Sequence, residues 1–367
     1  MTGIAESFNN TSNALYLNAS DRLRFTPVAN WNGPVNPVLF RAADNTMPDT
    51  ASGTRLNVSN FNGFTGAMSE GPSSFGLNIA AVNDAPVLTP NATARSYTEN
   101  AAAIVANNDL SLSDVDSANL TGATVQITSG LTAGDVLSFT AANGITGTYD
   151  APTGTLTLTG TATVAQYQTA LRSVSYNSTS ENPATTSASR TLTWQVNDGA
   201  SANNLSSNAT STINVANLND APVLADTTLA FAAVLQGAAA PTGAVGSLVS
   251  SLVGGVTDVD TGAVRGIAIT AFDSTNGKLF FSTNGGSTWT EATGISNTNA
   301  LLLASDADNR IYFQPNAGFS GTASSAVTFR AWDQTSGTEG QFVSTATNGG
   351  TSAFSSATDT VSKLVVR

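Results

Sequence analysis

The feature that most constrains this chain is a linker that occurs twice. Ala81-Val82-Asn83-Asp84-Ala85-Pro86-Val87-Leu88 returns as Ala216-Asn217-Leu218-Asn219-Asp220-Ala221-Pro222-Val223-Leu224. The copies lie 136 residues apart, the span of one ordinary domain. Each proline fixes its own φ and pushes the preceding alanine toward an extended conformation. Each copy therefore reads as a stiff crossing between modules.

A second repeat joins the two ends. Phe25-Thr26-Pro27-Val28-Ala29-Asn30-Trp31-Asn32-Gly33 matches Phe313-Gln314-Pro315-Asn316-Ala317-Gly318-Phe319-Ser320-Gly321 in ungapped register. Flanking anchors agree: Thr2-Gly3-Ile4 with Thr293-Gly294-Ile295, Ala14-Leu15-Tyr16-Leu17 with Ala300-Leu301-Leu302-Leu303, and Phe40-Arg41-Ala42-Ala43-Asp44 with Phe329-Arg330-Ala331-Trp332-Asp333. The order is thus a partial unit of one type over 1–86, a unit of a second type over 87–222, and a complete unit of the first type over 223–367. The half missing from the first unit corresponds to roughly 225–292, which reads as a chain cut from a longer array or begun at an internal Met.

The residue pattern is β throughout. Thr155-Leu156-Thr157-Leu158-Thr159, Thr191-Leu192-Thr193-Trp194-Gln195-Val196 and Ala326-Val327-Thr328-Phe329-Arg330-Ala331-Trp332 alternate with period two, and Asn, Gly and Asp punctuate them. Thr, Val, Phe and Trp suit a half-buried pleated surface. The fold class is all-β: tandem antiparallel β-sandwiches joined by short Asn-Asp-Ala-Pro linkers. Thr163-Val164-Ala165-Gln166 forms a capping box before Tyr167, Leu171 and Val174, and predicts one short helix packed on a sheet.

Composition excludes several chemistries. The chain has 367 residues with no cysteine and no histidine, so disulfides, thiolate metal sites, thiol nucleophiles and His-dependent triads are out. Its 25 acidic against 13 basic residues, a net charge of -12, argue against a phosphate-binding surface and hence against nucleic acid. Met1–Asn10 carries neither a basic segment nor an apolar core, so a secreted protein of this kind would need a signal outside this chain. The most apolar stretches, such as Leu301–Ala304, are of strand length, so no membrane insertion is expected in this segment.

Acids are scarce, so their placement is informative. Asp114-Val115-Asp116 follows the first linker and Asp258-Val259-Asp260 follows the second. An isolated Asp-x-Asp is an ordinary solvated turn. Recurrence after both linkers points instead to a shared cation, because side-by-side carboxylates repel until one is neutralised. Ca²⁺, which takes roughly six to eight oxygens, suits such a cluster.

Tyr97-Thr98-Glu99-Asn100, the linkers and the Asp-Val-Asp pairs resemble the calcium motifs of cadherins. Leu112-Ser113-Asp114-Val115-Asp116 and Phe329-Arg330-Ala331-Trp332-Asp333 are closer still to the bacterial cadherin-like tandem repeats of large secreted adhesins. The resemblance covers essentially the whole chain. It implies a ligand set of Glu99, Asn219, Asp220, Asp258 and Asp260 at the second junction, with Asp198 as an addition there. At the first junction it implies Asn83, Asp84, Asp114 and Asp116, with Asp44 added. The chain departs from the family in lacking a second linker Asn and an Asp-Arg-Glu motif, and in carrying Val234-Leu235-Gln236-Gly237 where a Glu is expected. These departures imply incomplete ion occupancy and make the first junction the weaker site.

Other signals have simpler readings. Ser282-Thr283-Asn284-Gly285-Gly286-Ser287-Thr288-Trp289 resembles an Asp-box hairpin, a structural turn. Asp306 and Asp308 precede a strand without the apolar surroundings that tune a catalytic acid, so no catalytic residue is identified and no enzyme is expected. Trp31 and Phe319 read as turn aromatics over a core rather than sugar platforms, and Trp194 and Trp332 as core. Arg22, Arg24, Arg41, Arg310 and Arg330 are expected to pair with local carboxylates. The expected function is a structural, adhesive repeat segment of a large extracellular or cell-surface bacterial protein, stiffened by Ca²⁺ and serving adhesion or biofilm formation. The alternatives are a module binding cell-surface glycan or another copy of itself, or a filament subunit completed by strand addition.

Overall fold

The computed structural model describes residues 14–44, 46, 51–59 and 66–367. The start Met1–Asn10 and the repeat anchor Thr2-Gly3-Ile4 lie outside them. Among the described residues the regular structure is nearly all strand, and the helices are Val164–Arg172 and a one-turn 3-10 segment, Val249–Ser251.

The middle module is a sandwich. One sheet runs in the order Thr146–Asp150, Thr155–Thr163, Asn119–Ser129, Ser189–Asn197, Ala209–Ala216, Arg95–Thr98. The other runs Asp135–Ser138, Ser175–Ser178, Ile104–Val105. Val125, Leu158, Leu192 and Trp194 from the first sheet meet Leu137 and Tyr176 from the second in one core. Alternation does the sorting: Ser189–Asn197 is buried at every second residue. The predicted helix forms where Thr163 and Gln166 cap each other reciprocally, and it buries Tyr167, Ala170 and Leu171.

The C-terminal module repeats the plan. Its six-stranded sheet runs Leu229–Leu235, Asp359–Val366, Gly321–Trp332, Gly266–Phe272, Ala300–Ala304, Phe342–Val343. Ser247–Leu248, Arg310–Pro315, Gly277–Ser282 and Thr290–Glu291 form the facing sheet. In both modules the first long strand runs parallel to the last. Ala300–Ala304 is buried at every position because it has cores on both faces. Leu301 and Leu303 point into the sandwich, while Leu302 packs with Ala268, Trp332 and Phe354 on the outer side. That outer cover accounts for an apolar run with no alternation.

The N-terminal segment forms two separate ribbons. Ala14–Leu15 pairs with Arg55–Leu56, and Gly33–Phe40 pairs with Ser73–Ile79. Phe319 packs on the C-terminal core, whereas its counterpart Trp31 stands 38% exposed. The Asn284-Gly285-Gly286 hairpin is a structural turn. Both glycines have positive φ, a Cβ on Gly286 would sit 2.2 Å from the Gly243 carbonyl, and Trp289 donates to that same carbonyl.

The arginine expectation needs correction. Arg41 and Arg330 donate to carbonyls, of Ser69 and Glu70 and of Ser355 and Ser356, because in both units the chain returns beside the strand end with its C=O groups inward. An arginine–carboxylate pair that the sequence reading did not name lies in the middle module. Arg190, fully buried, donates Nε to Asp135 at 2.6 Å, and its other nitrogens reach the carbonyls of Pro183 and Ser187. The Tyr176 hydroxyl donates to the remaining Asp135 oxygen at 2.6 Å. Breaking such a pair from one side strands a charge in the core. Arg190→Ala should therefore destabilise the middle module by about 3–5 kcal/mol in urea unfolding followed by Trp194 fluorescence, with Arg190→Met milder.

Candidate metal centre

Two short strand pairs build the junctions. Val87–Thr89 pairs antiparallel with Ser111–Ser113, and Val223–Leu224 with Val256–Thr257. In each pair the linker leads into one strand and the Asp-x-Asp leaves the other. Antiparallel register therefore sets Asp114 and Asp116 beside the first linker, and Asp258 and Asp260 beside the second.

The hydrogen bonding is the same at both. The Asp84 amide donates to Asp116 Oδ2 at 3.0 Å, and the Asp220 amide to Asp260 Oδ2 at 2.8 Å. Asp116 N donates to Asp114 Oδ1 at 3.1 Å, and Asp260 N to Asp258 Oδ1 at 2.9 Å. Asn83 Nδ2 donates to Asp198 Oδ2 at 2.8 Å, and Asn219 Nδ2 to Asp333 Oδ2 at 3.0 Å. Asp198 thus lies at the first junction, not the second where the sequence reading set it. Asp333 holds the corresponding place at the second. The position follows the strand that packs beneath its own module's linker, so it faces backward along the chain. Asp44 aligns with Asp333 and is not brought to Asn83 or Asp84. Its carboxylate accepts instead from the amide and hydroxyl of Thr46, which lower its pKa, in an exposed turn.

The second junction also takes acids from the module above. Glu99 follows the strand Arg95–Thr98 and is 2% exposed. Its Oε2 accepts from the Leu218 amide at 3.1 Å. Carboxylate oxygens of Glu99, Glu181 and Asp220 lie within 4.8 Å of one another. Glu181 was missed in the sequence because it sits in an unremarkable turn, Ser180-Glu181-Asn182-Pro183. Asp333 was available from its 135-residue offset to Asp198, nearly that of the linkers. Beside the acids, Asn182 ties the modules directly: Nδ2 donates to the Val259 carbonyl at 2.6 Å, and Oδ1 accepts from the Thr261 amide at 2.8 Å.

The electrostatics are one-sided. Burial, and then the charges of Asp220, Asp260 and Glu181, push Glu99 up to about 7 against the single favourable amide of Leu218. Asp220 is raised by burial and by Glu181, Asp260 and Asp258. Asp258 is raised by burial and by Asp260 and Asp333, partly offset by backbone amides. Glu99 Oε1, Asp220 Oδ2 and Asp258 Oδ2 are buried without any hydrogen-bond partner, as is Asp114 Oδ2 at the first junction. Ionised carboxylate oxygens only accept, so burial without a donor is costly unless a cation supplies the missing charge. An all-oxygen set of this kind fits a hard divalent cation such as Ca²⁺ rather than a thiophilic metal.

The first junction is poorer for a specific reason. Glu99 donates its amide to the Ala216 carbonyl at the end of the parallel last strand, and Gln236 does the same to Val366. Asn100 and Gly237, which follow them, both adopt positive φ. Gln236 is thus the C-terminal module's residue at the Glu99 position. The register of the facing sheets likewise sets Gly318 at the place of Glu181, and the sequence repeat aligns Asn30 of the N-terminal segment with Gly318. The C-terminal module, of the same repeat type as the N-terminal segment, carries neither carboxylate at these two positions.

No protein-family model matches the chain, and no curated protein matches it. Solved structures similar to it are extracellular cadherin fragments. Protocadherin gamma B2 domains 1–5 is 14% identical over 82% of this chain and 44% of that one, with a TM-score of 0.38. A mouse clustered protocadherin fragment, PcdhgC3 EC1–3, is 14% identical over 81% and 73%, at 0.35. Drosophila N-cadherin EC1–4 is 11% identical over 80% and 52%, also at 0.35. The chain spans about half the length of the first of these. The likeness is one of general fold. Among the described residues no helix is long and apolar enough to cross a membrane.

The raised Glu99 has a defined pH consequence without metal. The folded state holds this proton up to about 7, whereas the unfolded chain releases it near 4.5. Stability linked to Glu99 is therefore full below 4.5 and is lost as pH rises through 7. In metal-free buffer, thermal unfolding should show this decline between those values, and Glu99→Gln should flatten it.

Proposed function

We propose that the chain is a structural, adhesive segment of a large extracellular bacterial surface protein whose modules align when Ca²⁺ fills their junctions. The observation that carries the reading is the set of buried, donor-less carboxylate oxygens of Glu99, Asp220 and Asp258 where two modules meet. Glu99 and Glu181 come from one module, Asp258, Asp260 and Asp333 from the next, and Asn219 and Asp220 from the linker between. A cation bound by all three bridges rigid bodies. Without it the like charges repel, and among the described residues the hydrogen bonds of Asn182 and of the short linker are left to resist bending. Extracellular modules bind Ca²⁺ on the order of 10⁻⁴ to 10⁻³ M, a range suited to an ion abundant outside cells. The first junction, with Asn83, Asp84, Asp114, Asp116 and Asp198, would hold an ion on the middle module's side alone and stay the more flexible joint. The residues serve as spacers and surfaces rather than as reagents, since Asp306 and Asp308 are tied up in a turn: Asp306 Oδ1 accepts from Asp308 and Asn309 amides and from Asn309 Nδ2.

Small-angle scattering and thermal melting with millimolar Ca²⁺ and with EGTA test the reading. Calcium should lengthen the particle and raise its melting temperature. Asp220→Asn with Asp258→Asn should abolish both effects, while Asp114→Asn should spare the stiffening of the second junction. Equal dimensions and melting temperatures in the two buffers would sink the calcium assignment.

A further inference from the structure

The N-terminal segment can be laid on the C-terminal module strand by strand, and the comparison shows what it lacks. Gly33–Phe40 with Ser73–Ile79 corresponds to Gly321–Trp332 with Asp359–Val366. Ala14–Leu15 with Arg55–Leu56 corresponds to Ala300–Ala304 with Phe342–Val343. In the C-terminal module one strand, Gly266–Phe272, pairs with both Gly321–Trp332 and Ala300–Ala304 and joins them into a continuous sheet. In the N-terminal segment the corresponding ribbons are separate sheets, with no such strand between them among the described residues. The other edge, on Ser73–Ile79, unpaired among the described residues, is the one that Leu229–Leu235 occupies on Asp359–Val366. Arg22 to Pro27, the counterpart of Arg310–Pro315, forms no strand, and the partner of the latter is Gly277–Ser282.

Burial tells the same story. Ile311, Phe313, Val327, Phe329 and Val361 are all 0% exposed, whereas their counterparts Leu23, Phe25, Val38, Phe40 and Phe75 are 38–61% exposed. An apolar face of this kind beside two open strand edges is a template for strand addition.

We infer that this half-sandwich is an acceptor for a polypeptide segment with the strand pattern of residues 225–292. A strand like Gly266–Phe272 would enter between the two ribbons, antiparallel to Gly33–Phe40. A strand like Leu229–Leu235 would run parallel along Ser73–Ile79, and one like Gly277–Ser282 would draw Arg22 to Pro27 into the facing sheet. The occupant is specified by the chain itself, since those strands cover the same residues in the C-terminal module. The inference is independent of calcium and holds in EGTA as in Ca²⁺.

The probe is a separately produced polypeptide of residues 223–292 of this sequence, mixed with the full chain. A one-to-one complex by light scattering, with new amide-exchange protection at Gly33–Phe40 and Ser73–Ile79, is expected. Val38→Asp with Phe40→Asp should weaken binding by about tenfold or more and leave the melting of the middle module unchanged. Should the free segment prove insoluble, the same residues fused ahead of residue 1 should confer the same protection. No added protection from either form, or binding indifferent to the double variant, would overturn the inference.

Discussion

Burial of carboxylates at the second junction is the constraint around which the rest is arranged. Two residues of strand pairing, Val223–Leu224 with Val256–Thr257, are enough to bring Asp258 and Asp260 to Asp220. The parallel strand Arg95–Thr98 then delivers Glu99 to the same place from the module above. Glu99, Asp258 and Asp260 are each held by a backbone amide, and those amides fix direction without cancelling charge. The cost appears as the raised pKa of Glu99, Asp220 and Asp258 and as oxygens with no donor. Under the proposed function, a joint of this design would be stiff or loose according to what neutralises it.

The middle module shows the opposite treatment of a buried acid. Asp135 is as deeply buried as Glu99, yet both of its oxygens are bonded, by Arg190, by Tyr176 and by the Thr132 amide. That network is closed and serves one sandwich. The junction set is open and spans two. The contrast separates an acid that belongs to a core from one that waits on an external charge, and it does so by hydrogen-bond satisfaction rather than by depth.

The two junctions also explain why repeat type matters. Backbone register at the end of each unit is alike, down to the positive φ after Glu99 and after Gln236. What differs is one side chain at that position and another at Glu181, which is Gly318 in the other unit type. Under the proposed function, similar sandwiches would be joined by joints of different strength, with stiffness residing in a few carboxylates rather than in the sandwich.

Much of the fold was legible. Period-two runs such as Thr191–Val196 announce half-buried strands, Thr163 and Gln166 announce a capped helix, and two Asn-Asp-Ala-Pro copies announce the crossings. Those are local or periodic properties, and local backbone physics reads them directly. The sequence alone also set Asp114, Asp116, Asp258 and Asp260 near their linkers, because few residues separate them from the strands that pair. Tertiary structure alone decided that Asp198 serves the linker before its module, that Glu181 and Asp333 complete the second cluster, and that Arg190 rather than a junction residue pairs with Asp135. Those partners are 39 to 115 residues apart. Which of them meet depends on sheet order and register, which long-range pairing settles and no local pattern encodes.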